Sequence, residues 1–214
     1  MSLEDKVKDK ESKGFMRKTL NIGFNLAMAG ATTALSIATM GSTGLWIAGA
    51  FASGGTIGSF IKKKPLYETV NKALKDYSTI NAIIYPVISA WDYIIPKLPG
   101  TTLAHKIFRT LFASTIFNVG FEGMYKGARH LIDNKLNPIG ITKSIKSNFY
   151  NSWKRSAIGF SPAYGLVANG VSNIYGIPTF AYNALGLNLY STLKPVPVAK
   201  HTPSYMPSYA PARA

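Results

Sequence analysis

The chain has 214 residues and a formal charge of +15, yet charged residues make up only 15%, against 47% apolar residues and 19 glycines. Soluble domains usually carry about 25% charged residues, so both shifts point towards lipid. Cysteine is absent, which excludes disulfides, Cys-based zinc sites and thiol catalysis, and a mean hydropathy of only +0.08 implies that apolar blocks alternate with strongly basic ones.

Residues 1–18 form a basic segment expected on the cytoplasmic side. Its Glu4, Asp5, Asp9 and Glu11 fit neither a cleavable signal nor a transit peptide, so membrane insertion is expected to use uncleaved internal segments. From Thr19 to Ile61 no Asp, Glu, Lys or Arg occurs over 43 residues, between Arg17-Lys18 and Lys62-Lys63-Lys64. At about 1.5 Å per residue and roughly 20 residues per crossing, this length predicts a hairpin of two helices (19–61) turning at Gly41-Ser42-Thr43-Gly44. Small residues recur at every fourth position, in Gly44, Ala48, Ala52 and in Ala50, Gly54, Gly58. Lipid supplies no hydrophobic push between helices, so such faces serve close packing or line a narrow pore.

A basic loop, 62–76, leads to a second predicted hairpin, 77–125. Its crossings are expected at about 77–95, containing Pro86 and Asp92, and about 107–125, containing Asn118 and Glu122. In a second basic loop, 126–155, residues 138–155 set Ile139, Ile141, Ile145, Phe149 and Trp153 near helical spacing with lysines between, the pattern of an interfacial helix. Ser156 to Leu193 are again charge-free for 38 residues and predict a third hairpin, 156–193, turning at Gly176-Ile177-Pro178. Asn169 and Asn173, four apart, are expected on one helix face, with Asn183 and Asn188 following. Amides facing lipid are costly, so these should turn inward, to tie helices together or to line a wet cavity. Residues 194–214, with a repeated Pro-Ser-Tyr, are expected to be a disordered Pro-rich cytoplasmic tail.

The fold class expected is therefore an all-α polytopic membrane protein of about six crossings, four being possible, over a transmembrane domain at 19–193. The basic residues support this orientation. Segments 1–18, 62–76, 126–155 and 194–214 hold 21 of the 24 lysines and arginines, against Lys97, Lys106 and Arg109 elsewhere, which places both termini inside. The basic residues flank apolar blocks and do not line an aromatic-rich face, so anionic lipid headgroups are the expected partner and nucleic acid is not. A cell membrane is expected, with an organelle membrane left open.

No GxGxxG, Walker, HExxH or GxSxG motif occurs, and the three histidines lie far apart, so no enzymatic activity, cofactor or metal is expected. Polar groups inside apolar segments are the remaining chemistry: Asn118, Glu122, Asp92, Asn169, Asn173, Asn183 and Asn188 are the candidate substrate-pathway residues. For Glu122 a second role stands open, near the cytoplasmic end of its crossing, where it snorkels or pairs with Lys126. Two functions fit: passage of a small neutral solute, or a membrane scaffold or assembly subunit that holds a protein partner or a second copy of itself.

Two patches resemble the bacterial L-alanine exporter family (AlaE type). Thr110 leading into Asn118, Glu122 and Gly127 is similar to that family's helix with an Asn, a Glu four residues on and a Gly five beyond. Ser161-Pro162-Ala163-Tyr164 is similar to the Ser-Pro-x-Tyr that opens its second half. The resemblance covers about 104–193 and implies a small exporter of a neutral amino acid. The family's Pro-Tyr-Gly followed by Arg-Asp after each half is absent, and its members are usually four-helix proteins. Asn173-Ile174-Tyr175 with Pro178 also resembles the Asn-x-Tyr-x-x-Pro of a four-helix family of peroxisomal and inner mitochondrial membrane proteins.

Overall fold

The computed structural model describes the backbone of residues 3–170 and 173–194, and the side chains of residues 12, 14–170 and 178–194. Among the described residues all regular structure is helical: α1 (Leu3–Met40), α2 (Thr43–Ile61), α3 (Leu66–Ile94), α4 (Leu103–Phe112), α5 (Asn118–Asp133), α6 (Ile141–Lys146), α7 (Phe149–Val167) and α8 (Asn173–Leu193). A π-helical turn, Ala113–Phe117, joins α4 to α5, so residues 103–133 form one long rod with a local widening. The tail expected at 194–214 lies outside the described residues apart from Lys194.

Side-chain contacts give the direction of each rod. Asn25 bonds Asn71, and Thr33 bonds Tyr77 at 3.1 Å, so α1 and α3 run parallel. Lys75 meets Asp133 while Trp91 meets Phe117, so α3 and the α4–α5 rod are antiparallel. Ser156 bonds Asn118 while Asn169 bonds Thr110, which turns α7 back again. The result is a bundle of six rods alternating in direction, in which α2 and α8 pack closely along each other. Gly54 explains that closeness: a Cβ there would run into the backbone carbonyl of Leu185 on α8.

α1 inverts the pattern of a soluble helix. It buries Asn25, Ala29, Thr32 and Ser36, spaced three or four apart on one face, and exposes Leu20, Leu26, Leu35 and Ile37. Two stretches, Gly14–Met40 and Thr43–Ile61, are long and apolar enough to cross a membrane.

The structure corrects several predicted boundaries. The loop expected at 62–76 shrinks to the turn 62–65, because α3 starts at Leu66 and carries Lys72, Lys75 and Asp76 on its first three turns. The helix continues through these charges because Lys72 and Asp76 pair at i,i+4 and the other partners come from α5. The loop at 126–155 shrinks likewise, since α5 runs on to Asp133. Residues 138–155 are not one interfacial helix: the chain breaks at Asn148, whose φ is +51°, between short α6 and α7.

The last hairpin turns earlier than expected, with the chain leaving helix at residues 168–170. Gly170 sits there at φ +88°, a conformation that costs other residues a backbone strain, whereas Pro178 lies within α8, where its missing N–H removes a single helical bond. Asn169 therefore lies past the end of α7, and Asn173 opens α8. The two residues do not belong to one helix.

Candidate functional site

Two cavities adjoin within the bundle, named outer and inner after the expected topology. The outer one, about 350 Å³, is walled by aromatic and aliphatic side chains and reaches Thr39, Thr43 and Asp92 at its mouth. The inner one, about 220 Å³, is lined by Glu122, Ser152, Arg155, Ser156, Asn188 and Ser191 together with aromatic rings. Phe51, Phe121 and Phe160 belong to the walls of both, so they form the septum between an apolar chamber and a polar one. Phe121 and Phe160 meet edge to face with centroids 5.8 Å apart, and Tyr125 backs the septum, 5.8 Å from Phe51. In the outer chamber Trp91 stacks on Tyr164 at 5.5 Å and meets Phe117 edge-on at 5.2 Å. Such aromatic packing holds its geometry firmly.

The polar wall of the inner chamber is built by α5, α7 and α8, and on the α5–α7 side it is backed by Asn118. Just after the π-helical turn, fully buried Asn118 accepts the Ser156 hydroxyl at 2.9 Å and the Tyr164 hydroxyl at 3.3 Å, and donates to the Trp153 carbonyl at 3.4 Å. Trp153 in turn donates its indole N–H to the Thr115 carbonyl within the π-helical turn, at 3.0 Å. One turn further along α5, Glu122 accepts a hydrogen bond from Ser152 and is only 3% exposed. It forms no ion pair with Lys126, which donates instead to the Ser147 carbonyl at 2.6 Å. The Lys126 pairing expected of Glu122 is therefore absent, and its carboxylate faces α7 and the inner chamber.

Beside this chamber lies an ion-pair network that sequence reasoning missed. Asp76, 1% exposed, receives Lys72 of its own helix, Arg129 of α5 and the Asn188 amide of α8, the last at 2.8 Å. Arg129 and Lys75 also hold Asp133, at 3.0 and 2.6 Å. Burial pushes the Asp133 carboxyl up, but the two cations outweigh it and keep it below the ordinary carboxylate range. Asn188 is the junction of the whole arrangement. It bonds Asp76, accepts from Lys72 at 3.3 Å, donates to the Phe51 carbonyl on α2 at 2.6 Å, and lines the inner chamber. Gly55 makes room for it: a Cβ there would lie 2.6 Å from Asp76 Oδ2 and 2.7 Å from Asn188 Nδ2. The i,i+4 pair Lys72–Asp76 was visible in the sequence; that it faces inward was not.

Of the seven candidate residues, Glu122 and Asn188 line the inner chamber, Asn118 lies behind its wall bonded to Ser156, and Asp92 lines the outer chamber. Asn169 serves the outer end, donating to Thr110 Oγ1 at 3.1 Å and to the Gly165 carbonyl at 2.7 Å. Asn183 lies on the outer surface of the bundle, in a groove between α7 and α8. The side chain of Asn173 lies outside the described residues. Among the described residues no group of three or more His, Asp and Glu is placed to hold a metal ion. Comparison with protein families, curated proteins and solved structures gave no match.

Proposed function

We propose that the chain is a six-crossing protein of the cell membrane, with both termini on the cytoplasmic side, that passes a small neutral solute such as an amino acid through its bundle. The observation that carries this reading is the pair of chambers sharing one aromatic septum. Two adjoining chambers with a thin barrier between them suit alternating access, in which a site is reached from one side at a time. The inner chamber also presents the Glu122 carboxylate and the Arg155 guanidinium together with the Ser152 and Ser156 hydroxyls, groups complementary to the two ends of a zwitterion. The inside-out surface of α1 supports a lipid environment, and the resemblance of 104–193 to an amino-acid exporter supports the solute class.

Proteoliposomes holding the purified chain test the reading with a panel of labelled neutral amino acids. Glu122→Gln removes a charge-assisted contact worth about 1.5–3 kcal/mol, so flux of the preferred solute should fall about tenfold or more. Phe121→Ala thins the septum and should raise passive leak. Equal flux from wild type, Glu122→Gln and Asn118→Ala, for every solute that the wild type moves, would sink the assignment.

A further inference from the structure

A second binding site lies on the outside of the bundle, where α7 and α8 diverge to leave a groove of about 780 Å³. Its floor is apolar: Ile158, Leu185, Leu187 and Leu189 run beneath it, and Gly186 leaves open space, with nothing within 4 Å of where a Cβ would stand. Tyr182 and Tyr190 flank it, both exposed. At its inner end stand Lys154 and Arg155, and no acidic side chain lines any part of it. Arg155 is held in place by Tyr190, whose ring lies 5.2 Å beneath the guanidinium, and by one hydrogen bond to the Lys194 carbonyl at 2.9 Å. Its remaining N–H groups stay available to an oxyanion.

We propose that this groove binds one anionic phospholipid of the inner leaflet, with the headgroup phosphate on Lys154 and Arg155 and an acyl chain lying over Gly186. Charge and dimensions both select that occupant. Two adjacent cations with no acid nearby suit a phosphodiester, and a planar guanidinium takes its oxygens in a fork. From Tyr190 to Tyr182 the groove follows α8 for about 12 Å, close to the ~15 Å depth of one leaflet. A peptide partner would need hydrogen-bonding groups along the walls, which below the cationic end offer Asn183 and the Tyr182 hydroxyl among aliphatic side chains. Arg155 also lines the inner chamber, so the lipid holds a residue of the proposed pathway from outside. The site rests on the membrane-spanning reading and is independent of whether any solute passes.

Native mass spectrometry of the full chain, released from detergent micelles doped with palmitoyl-oleoyl phosphatidylglycerol or phosphatidylcholine, tests this. One phosphatidylglycerol should be retained at least about fivefold more than phosphatidylcholine, the preference expected for one headgroup cation. Lys154→Gln should lower that preference by a similar factor. Gly186→Leu fills the groove without a clash and should abolish retention while circular dichroism and gel filtration stay as in wild type. Equal retention of the two lipids, or wild-type retention by Gly186→Leu, overturns the proposal. So does displacement of the lipid by an equal concentration of glycerol phosphate, which would mean that the site reads phosphate alone. Alkaline carbonate extraction reports on membrane spanning separately. A chain that stays in the membrane without preferring phosphatidylglycerol overturns the groove and leaves the spanning reading intact, whereas release by carbonate overturns both.

Discussion

Replacing Asp76 by Leu removes the one carboxylate shared by Lys72, Arg129 and Asn188. Breaking a buried ion pair from one side costs about 3–5 kcal/mol, because the abandoned cation loses its partner and does not regain water. Here the loss belongs at the lower end. The Lys72 and Arg129 side chains keep 29% and 26% exposure, and Arg129 retains Asp133 at 3.0 Å. About 3 kcal/mol corresponds to a change on the order of a hundredfold in the folding equilibrium, and to a fall in Tm of about 6–12 °C for a chain of this size. Tryptophan fluorescence during heating in mild detergent reads this directly through Trp46, Trp91 and Trp153. The double variant Asp76→Leu/Arg129→Met removes the stranded guanidinium and should recover at least half of the loss. A single variant within about 2 °C of wild type, or a double variant with purely additive losses, would refute the claim that the network is buried and coupled.

Asn81 is 1% exposed and neither amide atom has a hydrogen-bond partner, so Asn81→Leu should raise stability by about 1–3 kcal/mol in the same thermal assay; destabilisation would show that the amide is satisfied in solution. Asp133 has a folded pKa held below its ordinary value of 3.8, so its contribution is complete above that value and is lost as pH falls through the folded one. The Tm gap between wild type and Asp133→Asn should therefore be constant from pH 7 to about 5 and close below about 3.8, and a gap that widens in acid refutes the ion pairing. In a chain without native cysteine, Ser42→Cys and Thr101→Cys should react with an impermeant thiol reagent from outside the cell and Lys135→Cys should not. Any other pattern excludes the six-crossing topology.

The first charge-free run was enough to define α2, the part of α1 after Lys18 and their turn, because length and apolarity suffice to mark such rods; that α1 begins as early as Leu3, within the basic segment, was not read. Small residues at i,i+4 likewise marked the faces on which α2 meets its neighbours. Charges were the misleading signal. Lys72, Lys75, Asp76 and Arg129 read as loop because an isolated charge is costly inside a bundle, and a single sequence does not reveal that partners 53 and 58 residues away neutralise them. The turn of the last hairpin failed for a related reason: proline is a strong local breaker, yet α8 runs through Pro178 at the loss of one helical bond, while Gly170 gives no stronger signal in sequence than the chain's other glycines. Polar residues in apolar segments were legible as candidates, but nothing in their spacing separates Asn188, which ties α8 to α2 and α3, from Asn183 five residues earlier on the outer surface. Composition and periodicity thus decided that the chain is helical and where its apolar rods lie. Which polar groups face one another, and where the rods leave space between them, depends on contacts between residues far apart in sequence, and only the packed bundle decides it.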